Sequence, residues 1–332
     1  MEIRRTDYKP LGKTDIMVSP VMLGTMEFDK SFYKDSDDSE AIEIIRTAID
    51  RGVNFFDSAE AYGDGHSEKV LGEAVRQSGK DVIIVSKLAT WDGELTEARI
   101  RTSLENSLRR LQRDYLDLYM IHWPTKSVSM KWVMELLMKF KAEGKIKAAG
   151  VSNFSVEEME FAGQGGEIEA LQSPYSAVWR CLERNALPYC LEKGISVMTY
   201  SPLGQGILSG AFARDRRPQQ LTQPQTTYYL YKEPYYSMCM DVVDAIAEIC
   251  RAKGYKAAQV ALAWLLSRKA VTSVLIGIEK KEQLIENLGA LDIKLTPEEI
   301  QKIEAAGTAM LDAIDATMAK SMTGWWPDKE GG

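Results

Sequence analysis

The chain has 332 residues, of which 45% are hydrophobic and 27% charged, with a net charge of −7. These are ordinary globular proportions, and the acidic balance argues against a surface built for nucleic acid or an anionic membrane. The four cysteines (Cys181, Cys190, Cys239, Cys250) show no CxxC spacing, so they suggest neither a zinc site nor a disulfide framework.

The N-terminal MEIRRTDYKP lacks the apolar segment of a signal peptide, and no apolar run is long enough to span a bilayer. A cytoplasmic protein is expected, with neither membrane nor nucleic-acid partners. Residues 8–19, YKPLGKTDIMVS, carry two short extended pieces around an LGKTD turn and read as a hairpin. Then short apolar runs alternate with helical patterns. VMLG (21–24) precedes DDSEAIEIIRTAIDRG, NFFD (54–57) precedes SEKVLGEAVRQSG, and VIIVSK (82–87) precedes TEARIRTSLENSLRRL. YLDLYMIH (115–122) precedes MKWVMELLMKFKAEG, where Met130, Met134 and Met138 recur at helical spacing as a packed face. IKAAGVS (146–152) precedes SVEEMEFAG, IEALQ (168–172) a helix near 184–194, and ISVMTYS (195–201) a long loop and helices across 240–268. SVLIG (273–277) precedes KKEQLIENLGA. Eight strand–helix units favour a closed (β/α)8 barrel over an open doubly wound sheet, and the hairpin is expected to plug the barrel floor. No composition break divides the chain, so the expectation is one domain: hairpin 8–19, barrel 21–290, and a C-terminal helix and tail over 291–332. In LTPEEIQKIEAAG, Thr296 suits an N-cap, Pro297 the first helical position, and Glu298 and Glu299 the positive end of the helix dipole.

Active sites in such barrels gather where the strands end, at the C-terminal face. Asp57 ends the second unit's strand, Lys87 the third and His122 the fourth, and Tyr62 lies on the loop after Asp57. Singly, each has a duller reading: a turn cap, the partner of a structural acid, a satisfied core histidine. Together on adjacent strand ends, they are not expected by chance. A tyrosine of pKa about 10 is a poor proton donor near neutrality. A neighbouring ammonium is expected to lower that value, with Lys87 as the charge, Asp57 holding Lys87, and His122 orienting a carbonyl oxygen. A carbonyl that gains a proton at oxygen must gain a hydride at carbon, which implicates a nicotinamide cofactor.

The chain resembles the aldo-keto reductases over nearly its whole length. The resemblance rests on FFDSAEAYGDGHSEKVLG, VSKLA, IHWP, GVSNFS, QSPYS, YSPLGQGILSG and LIGIEKKEQLIENL, in that order. It implies the (β/α)8 fold, a catalytic tetrad of Asp57, Tyr62, Lys87 and His122, and reversible NAD(P)H-dependent reduction of a small-molecule carbonyl. Ser152, Asn153 and Gln172 then fall on contacts to the nicotinamide carboxamide and Tyr200 on the ring that stacks against it. Gly24 and Thr25 lie beneath it, beside Asp57. Ser201, Leu203, Gln205 and Gly206 fall where the pyrophosphate is cradled. Gly277, Glu279, Lys280, Gln283, Glu286 and Asn287 fall on the adenosine site. Where NADP(H)-preferring members usually carry a small polar residue and an arginine, this chain has Glu279 and Lys280, which leaves both NADP(H) and NAD(H) as expected cofactors. The resemblance also admits a second class, a cofactor-sensing regulatory subunit with slow turnover.

For substrate, Trp91 and Trp123, with Met26 and Phe28, are placed near the rim. Residues 209–237 form a long connection expected to lack regular structure and to act as a lid. Trp325 and Trp326 either reach the barrel mouth or pack on an outer helix. His66 reads as a turn residue.

Overall fold

In the computed structural model, residues 2–30, 37–91, 93–221, 223–314, 318–320 and 322 are described. A short antiparallel hairpin, β1 (Lys9–Pro10) and β2 (Met17–Val18), comes first. The barrel strands are β3 (Val21–Gly24), β4 (Phe55–Asp57), β5 (Ile83–Leu88), β6 (Leu116–Ile121), β7 (Ile146–Ser152), β8 (Ala170–Pro174), β9 (Ser196–Tyr200) and β10 (Val271–Ile276). All eight run parallel, and β10 pairs with β3 to close the ring. Helices α1 (Asp38–Asp50), α2 (His66–Ser78), α3 (Glu97–Leu111), α4 (Met130–Ala142), α5 (Val156–Gly163) and α6 (Ala186–Lys193) follow the first six barrel strands in turn. After β9 come α7 (Gln223–Thr227), α8 (Tyr235–Lys253) and α9 (Ala257–Leu266). After β10 come α10 (Lys281–Leu288), α11 (Pro297–Ala306) and α12 (Thr308–Ala313).

The strands are apolar on both faces because both are covered. Met22, Phe55, Val85, Leu118, Met120, Ala148, Ala170 and Met198 fill the barrel interior, and Leu11, Ile16 and Val18 of the hairpin join them from below. Leu23, Phe56, Ile84, Tyr119, Ala149, Leu171 and Val197, their neighbours in sequence, pack outward with the helices. The hairpin is tied to the strands' starting ends: Lys9 Nζ donates to the Val271 carbonyl (2.8 Å), and Gly12 N to Ser196 Oγ (2.7 Å). Thr296 caps α11 reciprocally with Glu299, with Pro297 in the first turn.

The turn that carries Tyr62 is braced against α3. Arg110 of α3 pairs with the fully buried Glu68 of α2 (2.5 Å), and Ser86 Oγ donates to the other oxygen of that carboxylate (2.5 Å). Gly65, at φ 79°, lies directly on this arginine, since a Cβ there would meet Arg110 Nε at 2.3 Å. Gly65→Ala is therefore expected to destabilise the fold by about 1–3 kcal/mol, from the left-handed backbone and the displaced ion pair together. Urea denaturation monitored by tryptophan fluorescence would measure this. An unchanged midpoint would mean that the turn and Arg110 relax freely.

Candidate active site

Side chains alternate faces along a strand, so the inward rows can be followed to the C-terminal rim. Phe55 is succeeded by Asp57, Val85 by Lys87, and Leu118 and Met120 by His122, one residue beyond β6. Lys87 is not quite terminal, since β5 runs on to Leu88. Lys87 meets Asp57 directly, and His122 joins them through Tyr62. Lys87, fully buried, donates from Nζ to Asp57 Oδ1 (2.5 Å), to the Ser58 carbonyl (2.9 Å) and to the Tyr62 hydroxyl (3.1 Å). The His122 ring stands edge-on to Tyr62 (centroids 5.8 Å apart) and to Trp91 (5.0 Å). Its backbone N–H is held by the Leu88 carbonyl of the neighbouring strand (3.1 Å).

The electrostatics depart from the sequence expectation at Tyr62. Its phenol is pushed well above the ordinary tyrosine value rather than lowered. Burial is the main cause, and the carboxylates of Asp57 and Glu27 add to it. Asp57 largely spends the Lys87 charge. Burial pulls the ammonium below the usual lysine range, against the opposing pull of Asp57. His122 is held well below its usual value by burial and by the Lys87 charge, so the ring is neutral, and its buried Nδ1 has no partner among the described residues. The site thus presents a protonated phenol, a cation hydrogen-bonded to the phenol oxygen, and a neutral imidazole.

A second layer fixes the first. Gln172 Nε2, on β8, donates to Asp57 Oδ2 (2.8 Å), so both oxygens of that carboxylate are occupied. Asn153 follows Ser152 at the end of β7. Its amide nitrogen donates to the His122 carbonyl (3.2 Å) and to Ser152 Oγ (2.9 Å), and its oxygen accepts from the Tyr200 hydroxyl (2.8 Å). Tyr200 ends β9 and is thereby locked in orientation. Thr25, just past Gly24 of β3, donates to Ser58 Oγ (3.0 Å). Among the described residues five non-glycine residues have positive φ, and three lie here: Asn153 (65°), Ser201 (50°) and Gln205 (57°). Such backbone is rare outside glycine and gathers at functional sites.

The loop after β9 holds Ser201, Leu203, Gln205 and Gly206. Gln205 Nε2 contacts Ser201 Oγ, and the Gln205 carbonyl accepts from the Tyr231 hydroxyl (2.7 Å). Tyr231 belongs to the 209–237 connection, which is not irregular as expected: it contains α7, a 3-10 turn at Tyr229–Tyr231 and the start of α8. Tyr231 anchors it, and burial beside Glu27 pushes the neighbouring Tyr228 phenol up to about 12. On the other side Gly277 follows β10, and Gln283 Oε1 accepts from the backbone N–H groups of Glu279 (3.0 Å) and Lys280 (3.1 Å) at the start of α10. Asn287 is buried, and Glu286 pairs with Lys256, the residue before α9 (3.1 Å).

Among the expected pocket residues, Trp91 meets His122, while Trp123 is buried and its carbonyl accepts from Thr90 Oγ1 (2.9 Å). Met26 is half-buried and Phe28 packs into the core. Trp325 and Trp326 lie outside the described residues. His66 is the first residue of α2 rather than a turn residue, and its ring meets Asp38 Oδ1 at 2.9 Å. Sequence reasoning missed Glu27, the Gln172–Asp57 bond and the Ser58 carbonyl. Ser58 and Gln172 lie within quoted motifs and Glu27 does not, but no local pattern shows the Lys87, Asp57 and Gly277 contacts that the closed barrel gives them.

The model of the Aldo/keto reductase family matches residues 20–308. The chain is 30% identical over 309 residues to the NADH-specific methylglyoxal reductase of Escherichia coli (strain K12), covering 86% of this chain and 94% of that one. It is 31% identical over 324 residues to a probable voltage-gated potassium channel subunit beta of Oryza sativa subsp. japonica, covering 90% and 95%. The solved structure of the glycerol dehydrogenase AKR11B4 from Gluconobacter oxydans superposes with a TM-score of 0.84 at 28% identity, covering 95% of this chain and 99% of that one. The barrel, the ordered motifs and these relatives agree: the chain belongs to the aldo/keto reductase family and is an NAD(P)(H)-dependent oxidoreductase.

Proposed function

We propose that this protein, acting as one domain in the cytoplasm, reduces the carbonyl group of a small aldehyde, ketone or sugar, or runs the reverse alcohol oxidation, with Tyr62 as the proton donor. The observation that carries the reading is Lys87, fully buried and hydrogen-bonded to both Asp57 and the Tyr62 hydroxyl. A bound nicotinamide supplies the electron pair and hydrogen that the carbonyl carbon gains. The chain's residues do the rest. Neutral His122 and the Tyr62 hydroxyl fix the substrate oxygen between them. As negative charge grows on that oxygen, the phenol proton passes to it. Tyr62 then carries the charge beside the Lys87 ammonium, which is the moment when that ammonium matters. A phenol pushed up in the resting site thus keeps its proton until the carbonyl demands it. Asp57 and Gln172 hold Lys87 in place throughout.

Support for the dinucleotide site comes from the left-handed turns at Ser201 and Gln205 and from Gly277 after β10, where the Glu27 carboxylate rests on a residue without Cβ. Ser152, Asn153 and Gln172 would hold the carboxamide, Tyr200 the ring, Ser201 to Gly206 the diphosphate, and α10 with Glu279 and Lys280 the adenosine. Consumption of NADH and NADPH with an aldehyde, ketone and sugar panel tests the reading. Absence of turnover with every member, alongside tight dinucleotide binding, would instead favour a slow regulatory subunit, the reading to which the rice channel-subunit relative points.

Cofactor choice has its own test. Glu279 is exposed at the start of α10. Unit charges 4 Å apart interact by about 4 kcal/mol at an effective dielectric of about 20, and exposure reduces this to about 1 kcal/mol. Glu279→Ser combined with Lys280→Arg is therefore expected to raise the NADPH:NADH ratio of kcat/KM by at least about tenfold. An unchanged ratio would mean that Glu279 does not face the adenosine ribose.

A further inference from the structure

We propose that Glu27 couples dinucleotide binding to proton uptake: its carboxyl group is protonated when a dinucleotide lies along the channel, and its ionised form opposes binding. The proposal rests on the reading of Gly277 and α10 as the adenosine side of a dinucleotide site.

Glu27 lies in the 3-10 turn Met26–Phe28 directly after β3, and Gly277 lies directly after β10. These two strands are hydrogen-bonded neighbours, with Leu23 opposite Ile276. The Glu27 carboxylate rests on the glycine: a Cβ built on Gly277 would lie 1.8 Å from Oε1 and 2.4 Å from Cδ. It therefore occupies the surface that the missing side chain leaves open. The residue as a whole is half-buried, but its Oε2 is closed off from solvent and has no hydrogen-bond partner among the described residues. The groups that bear on it come from every side of the mouth. Asp57 and Tyr62 stand on β4 and its loop, Glu279 on the loop into α10, and Tyr228 on the segment after β9. Two further carboxylates thus act on Glu27, Asp57 from the Tyr62 side and Glu279 from the α10 side.

Burial, with Glu279 and Asp57 adding repulsion and a hydrogen bond from its own backbone pulling the other way, pushes Glu27 up to about 7, so the free protein holds a mixture of both forms near neutrality. A dinucleotide carries its diphosphate between nicotinamide and adenosine. Ionised Glu27 would face that charge with one oxygen unpartnered, which is doubly unfavourable. Protonated Glu27 would instead donate to a phosphate or ribose oxygen. Bound dinucleotide must then raise the carboxyl's pKa further, and linkage fixes the sign. Affinity is full while Glu27 is protonated in the free protein, and above about pH 7 it falls by about tenfold per pH unit until the bound form also ionises. The sequence offers no warning of this, because Glu27 sits in GTMEFD without a partner residue in view.

The experiment is NADH titration of intrinsic fluorescence at about pH 6 and about pH 8, on wild type and Glu27→Gln, with calorimetry at the higher pH in two buffers of different ionisation enthalpy. NADH is chosen because it lacks the 2′-phosphate, which titrates in the same range. Wild type should weaken by about tenfold across that interval and take up close to one proton per NADH at the higher pH. Glu27→Gln should bind with little pH dependence, more tightly than wild type at the higher pH, and without that proton. Equal pH slopes in the two proteins, or tight wild-type binding without proton uptake, would overturn the proposal while leaving the dinucleotide site standing. Failure of both NADH and NADPH to bind either protein at either pH would overturn the site itself. Should the glutamine variant fold poorly, the wild-type proton count alone decides.

Discussion

Replacing Tyr62 with phenylalanine should abolish measurable carbonyl reduction while leaving NADH and NADPH affinity within about twofold. The structure allows an unusually clean deletion. The Tyr62 hydroxyl is one of three acceptors of Lys87 Nζ, and the other two, Asp57 Oδ1 and the Ser58 carbonyl, remain when it is removed. The ring stays, and with it the edge-on contact to His122. No buried charge is orphaned, so folding stability should hardly move. What disappears is the phenol proton at the oxygen that the Lys87 ammonium holds at 3.1 Å. General acid–base groups typically contribute about 10²–10⁴-fold, and kcat should drop by at least that order. Because the phenol acts in the transition state, the loss belongs in kcat rather than in binding. Single-turnover kinetics with a saturating aldehyde, beside a fluorescence titration with each cofactor, would measure both. More than a tenth of the wild-type rate in the folded variant would remove Tyr62 from the mechanism.

The same residues show how far the sequence could be read. Every strand-borne member of the site continues an inward row: Met22 to Gly24, Phe55 to Asp57, Val85 to Lys87, Met120 to His122, Ala170 to Gln172 and Met198 to Tyr200. A period of two and a parallel sheet suffice to bring them to one rim, so barrel and rim were legible in the residue pattern. The tightness of the rim was not. Whether Lys87 lowers the Tyr62 pKa depends on how much of its charge Asp57 consumes and on how completely water is excluded, and neither is written in local pattern. The result was the reverse of the simple expectation. The Gln172–Asp57 bond joins residues 115 positions apart across the barrel, and Glu27 meets Gly277 only because β10 closes on β3. The connection 209–237 misled for another reason. Its short helical turns are held by contacts such as Tyr231 to the Gln205 carbonyl rather than by helix propensity.

Lys87→Met should lose activity by at least about 10²-fold, and unlike the tyrosine change it should also destabilise the protein. Asp57 is buried and its Oδ1 is held by Lys87 at 2.5 Å. Removing the ammonium leaves a carboxylate with Gln172 as its side-chain partner, and breaking a buried pair from one side typically costs about 3–5 kcal/mol. A loss of activity in this variant alone would therefore not separate chemistry from folding. A double-mutant cycle does so. Asp57→Asn removes the charge that Lys87→Met strands, so the double variant should recover most of the stability lost by Lys87→Met, measured by urea denaturation. Its activity should recover nothing, because the phenolate formed when Tyr62 gives up its proton would still lack its cation. Stability then recovers across one step of the cycle while activity does not, which a purely structural salt bridge cannot produce. If the double variant regains activity together with stability, Lys87 serves only to hold Asp57 and the turn. The stabilisation of Tyr62 after proton transfer must then come from His122 and the bound substrate alone.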